Sequence, residues 1–264
     1  MKQLRYVLLV LAACVLLSAC ASNVVPTETV VSETKHSSEA TEVLTEPIPE
    51  TTATTQPVHS AFYLPDVPVE DVIRYFNEVC LDAEIINGGD PTRLQKWMTP
   101  ISYAIHGECT NKDMEVFTQF VDWLNQVDGF PGIYPAEDAQ SANMNIHFCK
   151  EQEMLSIMGD NFYNMDGAVT FWYDDDAIFK AVICYRTDIF QRVRNSVILE
   201  EIYNGLGPIQ DTDLREDSII YSSYSTPQAL TQMDAIILRL LYHPSMECGM
   251  NTQQCEEVIR SLYY

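Results

Sequence analysis

Glu200-Glu201-Ile202-Tyr203-Asn204-Gly205-Leu206-Gly207 is the stretch on which the fold turns. It has the frame of the metal-binding helix pattern H-E-x-x-H, where two His one turn apart hold Zn²⁺ and the Glu activates water. A Gly often follows three residues later. Here the Glu (Glu201) and the Gly (Gly207) are in place, but the two ligand positions carry Glu200 and Asn204.

Outward from this octapeptide the spacing predicts a long helix over 188–206, capped by Asp188 and stopped by Gly207. At 100° per residue, Ile189, Phe190, Val193 and Val197 fall on one face, and Glu200 and Asn204 share it. Glu201 lies at the edge of that face beside Arg194. Ile198, Leu199, Ile202 and Leu206 cover the opposite side. A helix apolar nearly all round is a buried one, so its carboxylates point where apolar side chains point.

A buried carboxylate is costly unless it is paired, hydrogen-bonded or bound to a metal. The sequence leaves three readings open. Arg192 or Arg194 pairs with the carboxylates, giving a buried Arg194–Glu201 ion pair. Or Glu200, Asn204 and Gln210 ligate a metal beside Glu201 as general base. Or the helix end lines a pocket for another ligand. Zinc by ordinary ligation is not expected, because one carboxylate and two amides are hard oxygen donors suited to another divalent cation. His36, His59, His106, His147 and His243 show no i, i+4 spacing that supplies the missing ligands.

Around the central helix, apolar residues at helical spacing predict helices over 68–85 and 112–127. A strand is predicted over 97–105, another over 143–149, and a short helix over 151–158. Residues 168–173 and 177–185 are rich in β-branched and aromatic side chains and flank Asp174-Asp175-Asp176, a hairpin signal. Three carboxylates in one turn suggest Ca²⁺, but without the EF-hand spacing turn chemistry explains them. Helices over 228–242 and 252–262 complete an α+β domain with a small mixed sheet and a long buried central helix.

The N-terminal end reads as an address. Lys2 and Arg5 precede an apolar run over 6–17 that is short for a membrane span. The run closes on Leu17-Ser18-Ala19-Cys20, which resembles the lipobox of bacterial lipoproteins. The resemblance implies a signal peptide over 1–20, cleavage before Cys20 and acylation of that residue. Two or three acyl chains give stable anchoring. Residues 21–60 are dominated by Thr, Ser, Glu, Pro and Val and read as a disordered tether. Fully stretched, it reaches about 130 Å. The domain proper is 61–264.

The net charge is −23, and loss of Lys2 and Arg5 with the signal takes it to −25. Such a field repels nucleic acid. Cys80, Cys109, Cys149, Cys184, Cys248 and Cys255 follow the lipidated Cys20, an even set for which disulfides are plausible outside the cytoplasm. Cys248 with Cys255 is the local candidate pair.

Several stretches together resemble the bacterial domain-of-unknown-function family 2927, which includes many lipoproteins. They are Lys96-Trp97-Met98-Thr99-Pro100-Ile101, Asn145-Ile146, the octapeptide followed by Asp211, and Ser218-Ile219-Ile220-Tyr221. Further matches are Leu230-Thr231-Gln232-Met233-Asp234, Leu240-Leu241-Tyr242-His243-Pro244 and Gly249-Met250. The family pattern reads E-E-L-x-Q-x-L-G followed by N-D, so Asn204 and Gln210 are amide-for-amide changes. The resemblance implies a zincin-like fold with Gly249-Met250 beneath the site, and it supplies no activity.

The expectation from sequence is therefore an extracytoplasmic lipoprotein held to the membrane through Cys20, open to outer-membrane sorting in a two-membrane host. Its zincin-like domain is expected to bind or scaffold a cell-envelope protein or peptide without cleaving it. The alternative is a divergent metallohydrolase of envelope substrates with Glu201 as general base.

Overall fold

The computed structural model describes residues 5–8, 60–81, 93–223 and 226–264. The lipobox Cys20 and the tether up to residue 59 lie outside the described residues, as do residues 82–92, which include the end of the helix expected over 68–85. No helix among the described residues is long and apolar enough to cross a membrane.

Seven strands form one mixed sheet. They are β1 (Arg5–Leu8), β2 (Lys96–Trp97), β3 (Ile101–Gly107), β4 (Ile133–Pro135), β5 (Met144–Cys149), β6 (Gly167–Asp174) and β7 (Ala177–Arg186). The order is β1-β6-β7-β5-β3-β4, with β2 also on β7. The β7-β5-β3-β4 half is parallel, and the β1-β6-β7 half is antiparallel. The sheet is thus larger than the small one expected. Its added members are short edge pieces with no alternating pattern of their own.

Pro100 explains a second departure. A single strand over 97–105 was expected, but proline removes a ladder donor and divides it. β2 then pairs with Ala177–Ile178 at the start of β7, while β3 pairs with β5. The β6–β7 hairpin turns at Asp175 and Asp176, whose φ of 49° and 63° are left-handed values. Asp tolerates that region, so turn chemistry accounts for these carboxylates.

Six helices complete the domain: α1 (Val69–Leu81), α2 (Asn111–Leu124), α3 (Glu151–Met158), α4 (Gln191–Gly205), α5 (Gln232–Tyr242) and α6 (Thr252–Tyr263). Capping boxes start three of them, Thr110 with Asp113, Thr231 with Asp234 and Asn251 with Gln254. α4 begins three residues later than expected. Asp188 does not cap it, because its carboxylate accepts two bonds from Arg186 at 2.9 and 3.1 Å.

Strand alternation divides the core. Met144, Ile146, Val169, Phe171, Ala181 and Ile183 join α1, α2, α4, α5 and α6 in the large cluster on one face. On the other face Cys149, Ala168 and Cys184 pack with Met154 of α3 and with Phe162 and Met165. α4 lies against β6 and β7 with no room to spare. A Cβ on Gly167 would stand 2.3 Å from Val197 Cγ1, so only glycine lets helix and strand approach so closely.

Candidate functional site

Every residue of α4 from Arg194 to Gly205 is buried, as the wheel predicted. Two polar clusters sit on it. Near its start, Arg194 Nε donates to Asp113 Oδ1 of α2 at 2.8 Å. Nη1 reaches the Thr187 and Ile189 carbonyls at 3.2 Å, and Nη2 reaches Gln191 Oε1 at 2.8 Å. Gln191 Nε2 adds a 2.6 Å bond to the same Asp113 oxygen. Burial pushes the Asp113 carboxyl up, but the bonds from Arg194, Thr110 and Gln191 outweigh it and hold the carboxyl below its usual range.

This corrects the expected Arg194–Glu201 ion pair. Seven residues separate the two, about 10.5 Å along the axis. Arg194 turns the other way, to an acid on a neighbouring helix that lies far off in sequence.

The C-terminal cluster is built differently. Glu200 is 8% exposed and Glu201 1%, yet no cation or hydrogen-bond donor is within bonding distance of either among the described residues. Glu201 lies along β6, its Oε1 3.0 Å from where a Cβ on Gly167 would stand. Burial first, then Asp211, pushes its carboxyl well above the ordinary range. Burial, Glu201, Asp211 and Asp166 do the same to Glu200. Asp211 itself is pushed up to about 7, mainly by burial, with the Asn204 amide acting in the opposite direction.

Asn204 is 0% exposed, and neither its Oδ1 nor its Nδ2 has a hydrogen-bond partner of good geometry. Asp211 is close enough for the Asn204 amide to act on its carboxyl, but no hydrogen bond forms between them, and Asp211 Oδ1 is likewise buried without a partner. Asp211, then, lies against Asn204. The Gln210 backbone N–H donates to the Val79 carbonyl at 3.2 Å. Asp211 is the site residue that sequence reasoning passed over, although it stands one position beyond Gln210.

The end of α4 is fixed from outside. Trp97 Nε1 donates to the Gly205 carbonyl at 2.9 Å and Tyr242 Oη to the Leu206 carbonyl at 2.7 Å. Gly207 then turns the chain with φ 131°, its missing Cβ leaving room for the Gln95 carbonyl. Lys96, buried beside Trp97, gives its ammonium to the Leu241 and Met246 carbonyls. Burial lowers its pKa. Leu94 exchanges backbone bonds with Gly249 and Met250.

The remaining candidates lie elsewhere. His106 and His147 stack at 4.5 Å, pointing by strand parity to the face opposite α4, and His106 Nε2 bonds Asn145 Oδ1 at 2.8 Å. All six domain cysteines are free thiols, so the expected Cys248–Cys255 bridge is not formed. Cys248 Sγ instead faces the Lys96 carbonyl at 3.8 Å. Cys255 neighbours Cys80, and Cys149 neighbours Cys184.

No three His, Cys, Asp or Glu side chains among the described residues converge as a metal ion would need. With oxygen-only donors at Glu200, Asn204 and Asp211, ordinary zinc ligation does not fit this helix end.

Fold and site define a mixed α/β domain that carries an unneutralised acid cluster at the end of a buried helix. The profile of the family described as "Protein of unknown function (DUF2927)" matches residues 69–261, and the chain belongs to that family. No curated protein and no solved structure matches it.

Proposed function

We propose that the chain is a lipid-anchored extracytoplasmic protein whose zincin-like domain binds or scaffolds a cell-envelope protein or peptide and cleaves nothing. The observation that carries this reading is the placement of Glu201. A general base must reach the proton it removes, directly or through one water. Glu201 is buried on α4 against Gly167 of β6, and Glu200 beside it has no His ligand to share a metal with. The lipobox ending at Cys20 supports the anchor, and the tether over 21–60 supports a domain held away from the membrane. The acidic charge of −23 argues against nucleic acid as partner.

The test uses full-length protein made in cells and its Cys20→Ser variant. Wild type should fractionate with membranes and incorporate labelled palmitate, the variant should do neither, and neither should cleave envelope peptides. Peptide cleavage that Glu201→Gln abolishes would replace this reading with the metallohydrolase alternative.

A further inference from the structure

We propose that Glu200, Asn204 and Asp211 form a binding site for a hard divalent cation, Ca²⁺ or Mg²⁺, at the C-terminal end of α4. The site holds the helix end to the following loop and takes no part in hydrolysis. It goes beyond the binding role above and does not depend on it.

Asn204 carries the argument. A fully buried amide with both polar atoms unpartnered is rare in a folded protein, and each such group calls for a partner such as an ion or water. Asp211 Oδ1, buried in contact with that amide, is unpartnered too. Glu200 lies one turn before Asn204 on the same helix face, so its carboxylate projects to the same side. Three oxygen-bearing side chains therefore gather where the chain leaves α4.

The donor set selects the ion. Two carboxylates and an amide oxygen are hard ligands, and bidentate carboxylates supply up to five of the six to eight oxygens that Ca²⁺ takes. Two negative charges match one divalent cation. The negative end of the α4 dipole adds to the attraction, since cations are favoured at helix C-termini. The carbonyls of Gly205 and Leu206 are already taken by Trp97 and Tyr242, which leaves ligation to side chains.

Among the described residues, the buried and half-buried cations near this face are committed elsewhere. Arg194 is bound to Asp113, Lys96 to the Leu241 and Met246 carbonyls, and Arg186 to Asp188 and Glu151. An ion can approach from the loop side, because Gln210 and Asp211 are only partly buried. Glu201 is directed at Gly167 and supplies no ligand, although its carboxyl lies close enough to feel Asp211.

The experiment takes the full-length protein in detergent, strips it with EDTA, and titrates it in parallel with CaCl₂ and MgCl₂ by calorimetry and thermal melting. One equivalent of either ion should bind, with protons released and Tm raised by about 4 °C at ten times Kd. Glu200→Gln and Asp211→Asn, both near-isosteric, should each weaken binding about 10-fold, roughly 1.4 kcal/mol. Asn204→Asp adds a charged ligand and should tighten binding, while Glu201→Gln, which removes a neighbouring carboxyl but no ligand, should weaken it less than either ligand variant. No uptake of either ion at about 5 mM, above the usual range of extracellular calcium modules, would overturn the proposal. Binding of equal affinity in Asp211→Asn would overturn it as well.

Discussion

At the start of α4, Arg194 meets Asp113 within a shell of Gln191, Thr110 and two backbone carbonyls, and every strong polar group has a partner. Within the next three turns, Glu200, Glu201 and Asn204 are buried as deeply and have none among the described residues. The two regions share a helix, a sheet and a depth, so burial alone does not separate them. What differs is the neighbour. α2 brings its first turn, with its capping Asp113, against the first cluster, whereas the second meets a glycine of β6 and a loop that adds a further acid. A fully satisfied buried network is an architectural device. An unsatisfied one carries a free-energy cost that a folded protein keeps only where something else offsets it.

The contrast gives opposite responses to mutation. Asp113→Ala strands the Arg194 guanidinium in the core and should cost about 3–5 kcal/mol, the range for breaking one partner of a buried pair. Urea denaturation at neutral pH checks it, and a loss comparable to that of a surface pair would erase the distinction. Glu201→Gln removes an ionisable group that has no partner and keeps the shape. It should change stability by less than about 1 kcal/mol or raise it. A loss as large as that of Asp113→Ala would mean that Glu201 has a partner after all.

Much of this was legible in the chain. The wheel of 188–206 gave a helix buried nearly all round with Glu200 and Asn204 on one face, which holds from Arg194 onward while Phe190, placed on the apolar face, is exposed; the hairpin at Asp174-Asp175-Asp176 forms as its β-branched flanks indicate. Those features are local, set by spacing and turn chemistry. The Arg194–Glu201 pair was misread because a wheel shows angle and hides the rise along the axis. The bond to Asp113 depends on α2 packing against α4, 81 residues apart in sequence. Asp211 was noted only as a family match and not assigned to the site, because a loop residue has no periodicity to mark its direction. The anchoring of Gly205 and Leu206 by Trp97 and Tyr242 was signalled only weakly, by buried aromatic residues whose polar tips need partners.

The pH dependence follows from the same contrast, with the signs separated. Glu200 and Glu201 have folded pKa values raised above 4.5, so the folded state holds protons that the unfolded chain releases. Their contribution to stability therefore falls as pH rises from 4.5. Asp211, raised to about 7, acts the same way. Asp113 is lowered below 3.8, and its contribution is kept above that value and lost only in stronger acid. His147, lowered below 6.5 by burial and by His106, makes stability rise with pH beneath that point and partly masks the carboxylates.

A difference measurement removes the masking. Melting temperatures of the EDTA-treated wild type and of the Glu200→Gln/Glu201→Gln double variant, taken from pH 4.5 to 7.5, test the central claim that this helix end buries acids without a protein partner. The variant's advantage should grow steadily as the pH rises. A difference that stays constant, or that shrinks toward neutral pH, would contradict it.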